Sequence, residues 1–187
     1  MAFFTSKRER NLWLCTFCVV SAIYATLGLS SILADIFYNE LFGIILFLTC
    51  MILIGVILLT QGLQLKPHGF DIGIAIGIFV VYLFMFFRMA IPERSHLIEY
   101  SVLAVFIYEA LSERRHNGRG LKFTATAAIV MTSLIGIFDE SIQIFLPNRV
   151  FDPQDMLFNM LAATMAVLSV SGLRWFILWR NRNRQQR

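Results

Sequence analysis

Three patches of the chain carry the side chains from which acid–base or ligand chemistry could be built. The first is Pro92-Glu93-Arg94-Ser95-His96-Leu97-Ile98-Glu99-Tyr100. On a helix, Glu93, His96 and Tyr100 share a face, with Glu99 one step around from it. The second is Gly136-Ile137-Phe138-Asp139-Glu140-Ser141-Ile142-Gln143, in which Gly136, Asp139, Glu140 and Gln143 fall at i, i+3, i+4 and i+7 along one helical stripe. The third runs from Pro147 through Arg149 to Asp155, a residue suited to capping a helix N-terminus, with Asn159 one turn further on the same side. The residue types suggest roles. His96 titrates near neutral pH and can move protons. Two adjacent, partly desolvated carboxylates, Asp139 and Glu140, suit general acid–base work. Arg149 offers a planar fork for a phosphate or carboxylate. The expected reacting set is therefore Glu93, His96, Glu99, Asp139 and Glu140, with Tyr100, Gln143, Arg149, Asp155 and Asn159 as the binding set. A divalent metal on Glu93, His96, Glu99 and Asp139 is the lesser alternative, because that mixed ligand set lacks the spacing of known zinc motifs.

The elements that must position these patches are membrane helices. Of the 187 residues, 58% are apolar and only 15% charged, against about a quarter charged in a soluble domain. The apolar residues are blocked into runs long enough to cross a bilayer. The sequence predicts six spans, at 12–34, 41–63, 72–89, 97–111, 123–146 and 156–178. The fourth is the weakest, being short and interrupted by Glu99 and Glu109. The fold expected is thus all-α: one compact bundle of about six transmembrane helices with short connections. Lys7, Arg8 and Arg10 precede the first apolar stretch, which is longer than a signal-peptide core and has no clear small-x-small cleavage site, so it reads as a retained helix. Cys15, Cys18 and Cys50 all lie in apolar runs and read as small membrane-buried side chains.

The net charge of +4 does not point to nucleic acid, because the basic residues lie beside spans rather than along a binding face. With the N-terminus in the cytoplasm and six spans, thirteen of the 16 Lys and Arg residues fall on the inner side and three (Arg88, Arg94 and Arg149) on the outer. Omitting the fourth span would separate the 114–122 basic loop from the basic tail, so charge supports a helix that hydropathy leaves doubtful. Both termini are then cytoplasmic, and all three polar patches meet at the outer side of the bilayer. Ala162 and Ala163 on the last span allow a close approach there.

Glu93-x-x-His96-x-x-Glu99-Tyr100, then Asp139-Glu140-x-x-Gln143-x-Phe145-x-Pro147-x-Arg149, then Asp155-x-x-x-Asn159 resembles the VanZ-like family of small bacterial membrane proteins, named after a teicoplanin-resistance protein. The resemblance covers roughly 87–170, within a family-like core of 72–187. It leaves the two helices of 1–71 outside. Alanines 162 and 163 stand where the family commonly has glycine. The resemblance implies a bacterial inner-membrane location and a lowered sensitivity to lipoglycopeptides such as teicoplanin, but brings no settled reaction and no named cofactor. The expected partners are the lipid bilayer and a lipid-linked or cell-wall-precursor ligand.

Three function classes follow. The outer cluster is an enzyme site for a cell-envelope substrate, a non-enzymatic binding or transport pocket, or a set of polar contacts that only locks the bundle. In the last case Asp155 merely caps a helix, and Glu99 or Asp139 pairs with Arg94 or Arg149.

Overall fold

The computed structural model describes residues 3–28, 45, 69–88, 91–119, 121–146 and 151–185, with the backbone alone described at 26–28, 69–71, 86, 91–95 and 184–185. Five helices are present among the described residues: α1 (Lys7–Gly28), α2 (Gly69–Arg88), α3 (Ile91–His116), α4 (Thr124–Gln143) and α5 (Pro153–Gln185). None of the described residues forms a strand. Apart from Ile45, the predicted 41–63 span lies outside the described residues.

Local chemistry sets several helix ends. Ser6 accepts the Glu9 amide at 3.0 Å, and Glu9 reaches back to the Thr5 amide at 2.6 Å. Ser6 thus satisfies an amide that the first turn of α1 leaves without a partner, and Glu9 ties down the amide just before the helix. α3 closes at its C-terminus through Gly118, whose φ of 77° is the left-handed conformation that glycine adopts without strain. At the start of α5, Asp152 accepts the Gln154 amide at 2.8 Å and Pro153 is the first helical residue. The expectation that Asp155 is the cap is therefore corrected. Asp152 makes the capping contact, and Asp155, three residues on, turns toward another helix.

α3 is the central helix, packing against α1, α4 and α5, while α4 also packs along α5. It contains the span that hydropathy makes weakest, yet its residues 100–111 are all buried. The two observations agree physically. A helix enclosed by others presents little surface to solvent or lipid, so it can carry Glu99, Ser101 and Glu109 among its apolar residues.

α4 shows the reverse of a water-soluble helix. Its buried face is Thr124, Ala128, Thr132, Gly136, Asp139, Glu140 and Gln143. Val130, Leu134, Ile137 and Phe138 point outward. By length and apolarity, 124–143 and 153–183 are each able to cross a membrane, and 72–85 is apolar but shorter.

Candidate functional site

The polar residues converge where the N-terminal parts of α3 and α5 meet the C-terminal end of α4. α3 supplies His96 and Tyr100, α4 supplies Asp139, Glu140 and Gln143, and α5 supplies Asp155 and Asn159. All but Asp155, which is half-buried, are buried. One nitrogen of His96 and one oxygen each of Asp139 and Glu140 lie within 4.8 Å of one another.

Each member of this group is held by a neighbour. The Tyr100 hydroxyl donates to Asp139 Oδ2 at 2.9 Å. The Gln143 amide donates to Glu140 Oε1 at 2.8 Å, across one turn of α4. Asp155 Oδ2 stands 3.6 Å from His96 Nε2, an ion pair when the imidazole is protonated. The His96 ring stacks on Tyr100 with centroids 6.1 Å apart. Charge on a carboxylate favours such donors, and each hydrogen bond also fixes the side-chain rotamer.

Gly136 lets these three helices come together. A methyl group there would lie 2.9 Å from Asn159 Cβ and 3.1 Å from Tyr100 Cε1. Asn159 is fully buried, and neither its Oδ1 nor its Nδ2 has a hydrogen-bond partner among the described residues. Ala162 and Ala163 continue the close contact as buried residues, with Ser101 Oγ directed at the Ala162 carbonyl at 3.4 Å.

Of the residues expected from the sequence, the structure joins His96, Tyr100, Asp139, Glu140, Gln143, Asp155 and Asn159 in one cluster. Glu99 is half-buried on α3 and is not part of the His96–Asp139–Glu140 group. The Glu93 side chain and the whole of Arg149 lie outside the described residues. The pairing of His96 with Asp155 was not foreseen, because it depends on how α3 packs on α5.

A second polar cluster lies at the opposite end of the helices. Glu109, 1% exposed, takes hydrogen bonds from Arg174 of α5 and, at 3.2 Å, from Arg8 of α1. Arg8 also donates to Glu113 at 3.0 Å, and Ser6 donates to Glu113 at 2.9 Å. Arg114 sits 3.7 Å from Glu9. These contacts run between helices. Burial pushes the Glu9 carboxyl up, but hydrogen bonds from the Thr5 hydroxyl and amide, the Arg114 charge and the Trp13 indole outweigh it. The group ends below the ordinary carboxylate range.

No protein-family model, curated protein or solved structure matches this chain.

Proposed function

We propose that this is a multi-pass, VanZ-like protein of a bacterial cell membrane, with six spans and both termini in the cytoplasm. Its His/carboxylate cluster faces outward and binds or acts on a cell-envelope or lipid-linked substrate. In cells this activity lowers sensitivity to lipoglycopeptides such as teicoplanin. One observation carries the reading: α4 turns Thr132, Asp139, Glu140 and Gln143 inward and its large apolar residues outward. Burying acids is costly, and where the surroundings are lipid an inward acid is a functional group by default.

The cluster contains the parts for proton transfer. His96 is the shuttle, with Asp155 standing beside its ring. Tyr100 and Gln143 hold the two carboxylates of α4 in fixed directions. A carboxylate so held can take a proton from a substrate hydroxyl or phosphate without first reorganising.

The complete burial of Glu140 and Asn159 favours a second reading, in which the cluster is a packing lock. Glu140→Gln and His96→Ala in a host made teicoplanin-tolerant by the wild-type protein separate the two. The first reading expects folded protein within about two-fold of wild type and tolerance lost. Full tolerance in folded variants sinks it. Parallel loss of folded protein and tolerance in every variant supports the lock.

A further inference from the structure

We infer that His96, Asp139 and Glu140 bind a divalent transition-metal ion of the zinc or manganese type. The inference rests on reading this cluster as a working site. Its first support is geometry. One ligand atom from each of the three side chains falls within 4.8 Å of the others. A tetrahedral ion with bonds near 2.1 Å spaces its ligands about 3.4 Å apart, so small rotamer adjustments close the set. The three residues come from two helices, so the spacing is a product of packing and not of one local turn.

The surroundings are those of a metal site. Asp155, 3.6 Å from Nε2, occupies one side of the imidazole. A carboxylate beside the ring is the kind of neighbour that helps to orient a metal-ligating imidazole. Tyr100 and Gln143 each direct one carboxylate. Asp139 and Glu140 are at most 1% exposed, and a dication turns the repulsion between two such close carboxylates into attraction toward a shared centre.

Asn159 supplies an independent observation. It follows Asp155 by one turn of α5 and presses on Gly136, one turn before Asp139 and Glu140 on α4. Its amide and the Tyr100 ring both close on Gly136. A buried amide with neither end satisfied costs about 1–3 kcal/mol. A polar ligand bound beside these residues supplies the partner that amide lacks. Imidazole with two carboxylates selects zinc, manganese or iron over calcium or magnesium. Three protein ligands leave coordination open for a substrate phosphate or carbonyl.

The test uses the full-length protein, purified in detergent, stripped with chelator and dialysed against Zn²⁺, Mn²⁺, Mg²⁺ or Ca²⁺, with bound metal counted by mass spectrometry. Wild type is expected to retain about one Zn²⁺ or Mn²⁺ per chain and to ignore equimolar Mg²⁺. Asp139→Asn and Glu140→Gln are expected to lose it, and Asp155→Asn to bind roughly ten-fold more weakly. Thr164→Ala, an outward residue of α5, is the control. Should the site variants fail to fold, wild-type protein loaded with Mn²⁺ still decides the matter, since pulsed EPR must show a directly bonded nitrogen. Metal below a tenth of an equivalent, preference for Mg²⁺ or Ca²⁺, or no nitrogen coupling overturns the inference. No metal together with loss of tolerance in folded Glu140→Gln defeats the metal alone. Bound metal with tolerance intact in the folded variants defeats the function reading alone.

Discussion

Glu109 shows what one buried charge demands of its neighbours. Its carboxylate takes hydrogen bonds from arginines on two other helices. Removing one partner of a buried ion pair is far more damaging than replacing both with apolar groups. Arg174→Ala is therefore expected to cost about 2–3 kcal/mol, below the usual loss of about 3–5 kcal/mol because Arg8 remains. Arg8→Ala should cost less, since that side chain is 39% exposed and partly screened. The double variant Glu109→Gln/Arg174→Met should recover at least half of the loss. Unfolding of purified protein in a denaturing-detergent titration measures all three. Similar losses for Arg174→Ala and the double variant would show that the pair is not the source of the effect.

At the scale of elements, α1 is fastened to α3 by the Thr5–Glu9–Arg114 group and by Ser6 on Glu113. Because the Glu9 carboxyl is held below the ordinary range, the folded state favours its ionised form. The resulting stabilisation is full above the ordinary carboxylate pKa and disappears as pH falls through the lowered value. Thermal melts between pH 7 and pH 3 should show acid destabilisation that is reduced in Glu9→Gln. An unchanged acid slope in that variant would rule out Glu9 as its cause. Much of this level was legible in the sequence. The apolar runs located both ends of α2 and α4 and the start of α5 to within three residues, whereas α1 starts five residues earlier than expected and α3 extends five or six residues beyond its apolar stretch at each end. The i, i+3, i+4, i+7 stripe named Asp139, Glu140 and Gln143 of the buried face of α4 but not Thr124 or Thr132. Contacts between helices were not legible. Nothing in the spacing of Arg8, Glu109 and Arg174 shows that three helices bring them together. The cap on α5 was misread for a similar reason: Asp152 and Asp155 both have the right side chain, and only the backbone path decides between them.

For the whole molecule, the two polar clusters set a length. His96 and Glu109 are thirteen residues apart on α3, about 20 Å of helix. The hydrocarbon core of a bilayer is about 30 Å thick. In a membrane, at least one cluster must therefore lie below the interface, where paired or metal-bound acids are sustainable and isolated ones are not. The proposed six-span topology puts Asn117 inside and Asn148 outside. In a variant with Cys15, Cys18 and Cys50 replaced by alanine, a single cysteine at 148 should react with an impermeant maleimide on intact cells. A cysteine at 117 should react only after permeabilisation. The reverse pattern would place the His96 cluster on the cytoplasmic side and end the case for a cell-envelope ligand.

The crossing at Gly136 constrains the order in which this site can change. Because a methyl group at 136 meets the Cβ of Asn159 and the ring of Tyr100, a larger residue is accommodated only after one of those neighbours has been trimmed or its helix has moved. Both neighbours belong to the polar cluster, so the trimming itself alters the chemistry. Positions 100, 136 and 159 thus form a single packing unit, in which a larger residue at the glycine demands a smaller one, or a shifted helix, beside it.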